Sequence, residues 1–152
     1  MRLTLASDHR GFELLEVVRS QLLDLGHEVD IQGPDQGQPC DYPDQAALVC
    51  AHLQSGAAER GVLICGTGIG MCITANKFRG VRAALALDEL SAQLSRSHND
   101  ANVLCLSGDL VGHALARRIV DTWMRTDFEG GRHARRVEKI SELDAASTTS
   151  KA

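Results

Sequence analysis

The chain is 152 residues long, 16.4 kDa, with a formal net charge of −4 and an isoelectric point near 5.8. With 43% hydrophobic and 24% charged residues, it has the composition of one globular domain able to bury about 70% of its unfolded surface, which excludes a disordered or fibrous chain. The acidic balance and 3% aromatic content speak against a nucleic-acid surface of basic patches and base stacking, and no apolar run approaches the roughly 18 residues of a membrane helix.

Strand and helix patterns alternate along the chain. Residues 3–7 read as a first strand. Over 11–25 the apolar Leu14, Leu15, Val18, Leu22 and Leu25 recur at helical spacing, with Gly26 as the stop. Residues 27–31 are a short second strand. Residues 32–43 hold all three prolines and read as a long loop, of the kind that often carries function. A helix is expected over 44–55, a third strand over 61–64 ending at Cys65, a glycine turn over 66–70 and a helix over 71–77. Residues 81–87 form an unusually apolar fourth strand, 89–97 a helix and 102–106 the fifth strand. A long helix over 110–125 carries Leu115, Ile119 and Trp123 on one stripe; Gly130-Gly131 then breaks the chain before a last helix over 132–143. Residues 1–144 are therefore expected to form a single domain, and 145–152, small and polar, a flexible tail.

Such alternation implies a parallel sheet covered on both faces, and in open sheets of this kind ligands bind beyond the carboxyl ends of the strands. That rule selects Ser7-Asp8-His9, Asp41-Tyr42-Pro43, Cys65 with its glycines, Asp88, and Ser107-Gly108-Asp109. The run Cys65-Gly66-Thr67-Gly68-Ile69-Gly70 is the strongest local signal. Its glycines allow a sharp turn and close approach to a ligand, and the following helix points free N–H groups into the same space, which suits an anion. A cysteine there is a candidate base or nucleophile. The run is not a dinucleotide fingerprint, because Met71 stands where a third glycine belongs, and no Gly-Lys-Ser/Thr follows it. His98 ends a helix and reads first as a cap. Arg132, Arg135 and Arg136 crowd a helix start, where cations oppose the helix dipole; Arg132 and Arg136 share a face and suit a phosphate. No HExxH or other clustered ligand spacing occurs, so neither a metal nor another cofactor is expected. Five cysteines without CxxC spacing read as free thiols, and with no apolar leader segment the expected location is cytoplasmic.

Six strings together carry a resemblance: Ser7-Asp8-His9-Arg10-Gly11-Phe12, Asp41-Tyr42-Pro43, Ile64-Cys65-Gly66-Thr67-Gly68-Ile69-Gly70, Ala75-Asn76-Lys77, Arg96-Ser97-His98-Asn99-Asp100-Ala101-Asn102-Val103, and Glu129-Gly130-Gly131-Arg132-His133. In this order, over residues 1–143, they resemble the RpiB/LacAB sugar-phosphate isomerases, the family of ribose-5-phosphate isomerase B. The resemblance implies a Rossmann-like, three-layer α/β/α domain on a five-stranded parallel sheet. It implies metal-independent aldose–ketose isomerisation of a small sugar phosphate, by default D-ribose 5-phosphate to D-ribulose 5-phosphate, in a homodimer or tetramer with active sites at the subunit interface. It also implies roles. Cys65 moves the proton between C1 and C2, while Thr67 and the amides of Gly66, Gly68, Ile69 and Gly70 face the enediolate oxygens. His98 opens the sugar ring, Asp8 and Asn99 hold hydroxyls, and His9, Arg132 and Arg136 lie at the phosphate end. The chemistry is coherent, since an enediolate needs a base and oriented donors, and a histidine titrating near pH 6.5 suits ring opening.

One position departs from that pattern. After the fifth strand the family usually carries an arginine or lysine, and here Asp109 stands there. A carboxylate repels a phosphate dianion. Asp109 therefore turns away, pairs with an arginine such as Arg10, Arg132 or Arg136, or accepts from sugar hydroxyls as a substrate contact. Two other readings stay open on this ground: an isomerase of another short or unphosphorylated sugar, and a non-catalytic sugar-phosphate-binding module.

Overall fold

The computed structural model describes residues 1–34 and 38–149, the last five of these by backbone alone. The elements are β1 (Arg2–Ser7), α1 (Phe12–Asp24), β2 (Glu28–Gln32), α2 (Tyr42–Gln54), β3 (Arg60–Cys65), α3 (Ile69–Ala75), β4 (Ala83–Leu85), α4 (Glu89–Ser97), β5 (Val103–Ser107), α5 (His113–Arg125) and α6 (Arg132–Thr149). The strands form one sheet in the order β2-β1-β3-β5-β4, every pair parallel. The expected three-layer, five-stranded architecture is the one observed.

Both faces of the sheet are covered because its central strands are apolar on both sides. All five residues of β5 are buried, as are the last five of β3, the pattern of a parallel sheet between helical layers. Successive side chains point to opposite faces. Leu3, Leu5, Val62, Ile64, Leu104 and Leu106 pack on one face against Leu14, Val18 and Leu22 of α1 and Ile119, Val120 and Trp123 of α5. Ala6, Leu63, Cys65, Val103 and Cys105 pack on the other against Val49 and Cys50 of α2 and Met71 and Ala75 of α3. Trp123 is wholly buried, with the guanidinium groups of Arg60 and Arg96 5.2 and 5.9 Å from its ring centre.

Several boundaries differ from the sequence reading, each for a local reason. The expected loop is shorter, since α2 begins at Tyr42 with Pro43 in its first turn, where a missing N–H costs nothing. β4 is only three residues long; at its start, Arg82 just before it and Ala83, its first residue, give their N–H groups to the side chains of Asn102 and Asn76. α5 starts at His113, because Leu110 N–H is taken by Ser107 Oγ in a turn. α6 continues past the expected end at 143 to Thr149, so the first residues of the expected tail are helical in backbone, and 150–152 lie outside the described residues. Among the described residues no helix is long and apolar enough to cross a membrane.

Candidate active site

The sheet register sets Ser7 beside Ile64 and Cys65 beside Ser107, so β1, β3 and β5 end on one edge. Their loops are zipped together there. Asp8 N–H donates to Ile64 O (3.1 Å), Gly108 N–H to Cys65 O (2.9 Å), Asp109 N–H to Gly66 O (3.0 Å), and Ser107 Oγ to Gly66 O (2.6 Å). Gly108 permits the contact: a Cβ there would lie 2.6 Å from Arg10 O.

These loops surround an open cleft of about 590 Å³ lined by Asp8, Arg10, Tyr42, Cys65, Gly66, Thr67, Ile69, Gly70, Ile73 and Asp109. Cys65 is buried at the strand end, and Gly68 N–H donates to its Sγ at 3.1 Å. Gly68 holds this pose with φ +76°, and a Cβ on it would meet Leu106 O at 2.9 Å. Thr67 is exposed, its Oγ1 accepting from Ile69 N–H at 3.3 Å. The Tyr42 ring covers Gly70 so closely that a Cβ there would lie 2.5 Å from it. Asp8 is buried, and its Oδ1 accepts from the N–H groups of Arg10 (2.9 Å) and Gly11 (3.1 Å); His9 beside it is exposed.

Of the three arrangements open to Asp109, the structure shows a pair with an arginine. Arg10 Nε and Nη2 donate to Asp109 Oδ2 at 3.0 and 2.6 Å. The hydrogen bonds to this carboxylate raise the arginine's already high pKa.

A second group lies elsewhere. His98 caps α4, its N–H bonded to Leu94 O at 2.9 Å, and its ring stacks on that of His133 with centres 4.1 Å apart. Glu129 N–H donates to Ser97 O (3.0 Å), which docks the start of α6 against the end of α4. His133 is buried; Arg132 Nε donates to its Nε2 at 3.4 Å, and Glu129 Oε2 is 3.7 Å from the same nitrogen. Burial lowers the His133 pKa, and the neighbouring His98, Arg132 and Arg136 add to the effect. Asn99, Arg132 and Arg136 are exposed.

The two groups sit at opposite edges of the sheet. Gly61 N–H bonds to Asn102 O (2.8 Å) at the amino end of β3, which places the stretch after His98 there. Cys65 is four residues on at the carboxyl end, a rise of about 13 Å at ~3.3 Å per residue. A single chain thus gathers Asp8, His9, Cys65, Gly66, Thr67, Gly68, Ile69, Gly70 and Asp109, but it does not bring His98, Asn99, Arg132 or Arg136 to them.

The lack of a metal-ligand cluster read from spacing does not carry over to space: one ligand atom each of His98, Glu129 and His133 lie within 4.8 Å of one another. The two imidazole planes are only 6° from parallel. An ion bound about 2.0–2.1 Å from each nitrogen in the ring planes would require one ring to turn out of the stack. The carboxyl-edge rule selected Tyr42 only as part of the segment Asp41-Tyr42-Pro43, without a role of its own, and sequence reasoning assigned no role to His133. Tyr42 stood in an assumed loop, and His133 was masked by the arginines around it.

The ribose/galactose isomerase family matches residues 3–140. Ribose-5-phosphate isomerase B of Escherichia coli (strain K12) is 43% identical over 143 residues, covering 94% of this chain and 96% of that protein. The solved structure of Clostridium thermocellum ribose-5-phosphate isomerase B is similar with a TM-score of 0.94 at 44% identity, covering 97% of this chain and 99% of that one. Mycoplasma genitalium ribose-5-phosphate isomerase B, solved with bound ribulose-5-phosphate, gives a TM-score of 0.91 at 41% identity, covering 95% of this chain and 96% of that one. The chain belongs to the ribose/galactose isomerase family and is an aldose–ketose isomerase.

Proposed function

We propose that this chain interconverts D-ribose 5-phosphate and D-ribulose 5-phosphate through an enediolate, without a metal ion, in sites completed by a second copy of itself. The observation that carries the chemistry is the placement of Cys65 Sγ at the floor of a cleft walled by the backbone of the 66–70 turn. The bound ribulose-5-phosphate of the Mycoplasma genitalium relative supports the substrate.

In this reading the Cys65 thiolate takes the proton from C2 of the open-chain aldose. The electron pair moves into a C1–C2 double bond and the carbonyl oxygen becomes the enediolate oxygen. Thr67 and the amides of Gly66, Gly68, Ile69 and Gly70 face that charge, at no cost of reorganisation. Return of the proton from Cys65 to C1, with the O2 proton passed to O1, gives the ketose and restores the thiolate. Asp8 and Asn99 hold hydroxyls, His98 opens the ring, and His9, Arg132 and Arg136 meet the phosphate.

Charge and apolar surface both favour the second copy. The cleft walls hold two carboxylates, Asp8 and Asp109, and one cation, Arg10. A phosphate dianion needs further cations there, and Arg132 and Arg136 are exposed at the other edge. Ile69 and Ile73 at the cleft are 50% and 59% exposed, and Leu90 on α4 is 62% exposed, apolar surface of the sort that marks an interface. A two-fold dimer would place each copy's second group over the other's cleft.

The test is conversion of ribose 5-phosphate by the wild type and by Cys65→Ala, with folding checked by circular dichroism. Loss of at least the roughly 10²–10⁴ typical of a general base in a folded Cys65→Ala protein is expected. Near-normal turnover by that variant would remove Cys65 from the mechanism. A wild type that binds ribose 5-phosphate without converting it would favour the binding-module reading.

A further inference from the structure

We infer that Arg10, locked in place by Asp109, selects for a phosphorylated substrate, and that Asp109 is a positioning residue for Arg10 rather than a contact to the sugar. The inference rests on the isomerase reading above and assigns one of its specificity determinants. Arg10 is the single cation among the residues lining the cleft. It is held at both ends: its backbone N–H donates to Asp8 Oδ1 (2.9 Å), and its Nε and Nη2 donate to Asp109 Oδ2 (3.0 and 2.6 Å). Asp109 is in turn anchored by its own N–H to Gly66 O at 3.0 Å.

The pair lies against the glycine turn itself. A Cβ on Gly66 would come within 2.9 Å of both Arg10 Nε and Asp109 Oδ2. The side chains of Arg10 and Asp109 are 59% and 35% exposed, and ion pairs that exposed add little to stability. Their value is in placement. A free arginine gives up much rotamer freedom when it grips a ligand, whereas a guanidinium already fixed by a carboxylate gives up less. Among the described residues Nη1 of Arg10 makes no hydrogen bond, so an N–H edge stays available to a phosphate oxygen. The pair is neutral overall, so selection acts by a short directional contact rather than a long-range field.

The experiment measures KM and kcat for ribose 5-phosphate, and calorimetric binding of inorganic phosphate, in wild type, Arg10→Gln, Asp109→Asn, Asp109→Glu and the double variant Arg10→Gln/Asp109→Asn. Arg10→Gln should raise KM and weaken phosphate binding roughly tenfold to a hundredfold, the range for a hydrogen bond to a charged group, with the change in KM rather than in kcat. Asp109→Asn should also raise KM, by a few fold, and Asp109→Glu should restore it. The double variant should lose less than Arg10→Gln alone, because it no longer leaves a bare carboxylate facing the anion. A lower KM in Asp109→Asn would mean that Asp109 only repels the substrate, and would overturn the inference. So would unchanged KM and phosphate binding in Arg10→Gln. Phosphate binding needs no turnover, so a wild type that fails to isomerise ribose 5-phosphate sinks the ribose 5-phosphate reading separately, while the phosphate arm still decides the role of Arg10.

Discussion

The imidazole of His98 lies face to face with that of His133, ring centres 4.1 Å apart and planes within 6°. Two imidazolium ions so placed repel, and His133 is buried beside Arg132. Its pKa in the fold is lowered, by burial first and then by His98, Arg132 and Arg136. A histidine held neutral in the fold takes up a proton more readily when unfolded, so its stabilising contribution is present above pH ~6.5 and is lost as pH falls toward the lowered folded value. The wild-type Tm should therefore drop more steeply between pH 7.5 and 5.5 than that of His133→Gln. Parallel Tm curves for the two proteins would show that the stack does not couple to protonation.

The cysteines should separate by reactivity. Hydrogen bonding from Cys105, assisted by Leu85 N–H and Asn76, brings the partly buried Cys72 thiol down to about 7, against the effect of burial. Burial pushes Cys50 up to about 11 and Cys105 well above the usual thiol range. Because the thiolate is the reacting form, iodoacetamide at pH 7.5 should label Cys72 and leave Cys50 and Cys105 unmodified, with labelling of Cys72 falling severalfold at pH 6. Peptide mass spectrometry reads this directly, and alkylation of Cys105 in the folded protein would contradict the packing described.

Two glycines with similar positive φ should respond differently to alanine. A Cβ on Gly26 (φ +80°) would have nothing within 4 Å, so Gly26→Ala carries only backbone strain, about 1–2 kcal/mol. Gly68 (φ +76°) adds contacts of 2.6 Å with Leu85 Cδ1 and 2.9 Å with Leu106 O. Gly68→Ala should cost clearly more than Gly26→Ala in urea denaturation and should also reduce turnover, since Gly68 N–H is the donor to Cys65 Sγ. Equal losses in the two variants would mean that the turn yields to the added methyl.

If His98 opens the sugar ring, its loss should matter only for sugars that close. In erythrose 4-phosphate the hydroxyl that would form a furanose carries the phosphate, so the sugar stays open. His98→Asn should therefore slow isomerisation of ribose 5-phosphate by roughly 10²-fold or more and that of erythrose 4-phosphate far less. Equal slowing on both would assign His98 a different task.

The sheet was legible because buried parallel strands write themselves as short apolar runs such as Val62-Leu63-Ile64 and Val103-Leu104-Cys105-Leu106, and the carboxyl-edge rule then pointed to Cys65 and its glycines. Boundaries failed where side chains competed for backbone groups, as Asn76, Asn102 and Ser107 do around β4 and the start of α5. Pairing across sequence distance was the other blind spot. Arg10 and Asp109 are 99 residues apart, and nothing local in either segment fixes which arginine the aspartate meets. The division of the site proposed above was invisible to motif spacing too. His98 and Cys65 belong to strings of equal prominence, yet parallel strands carry one to the amino edge and the other to the carboxyl edge.

That division has a direct test in a heterodimer of Cys65→Ala and His98→Asn, co-expressed with two different tags and isolated on both. If each site takes Cys65 from one copy and His98 from the other, one of the two sites contains both native residues. Two nearly inactive parents should then give a heterodimer with about half the wild-type turnover per dimer. A heterodimer as inactive as its parents would mean that Cys65 and His98 do not meet across two copies, and the proposed site would have to be rebuilt within one chain.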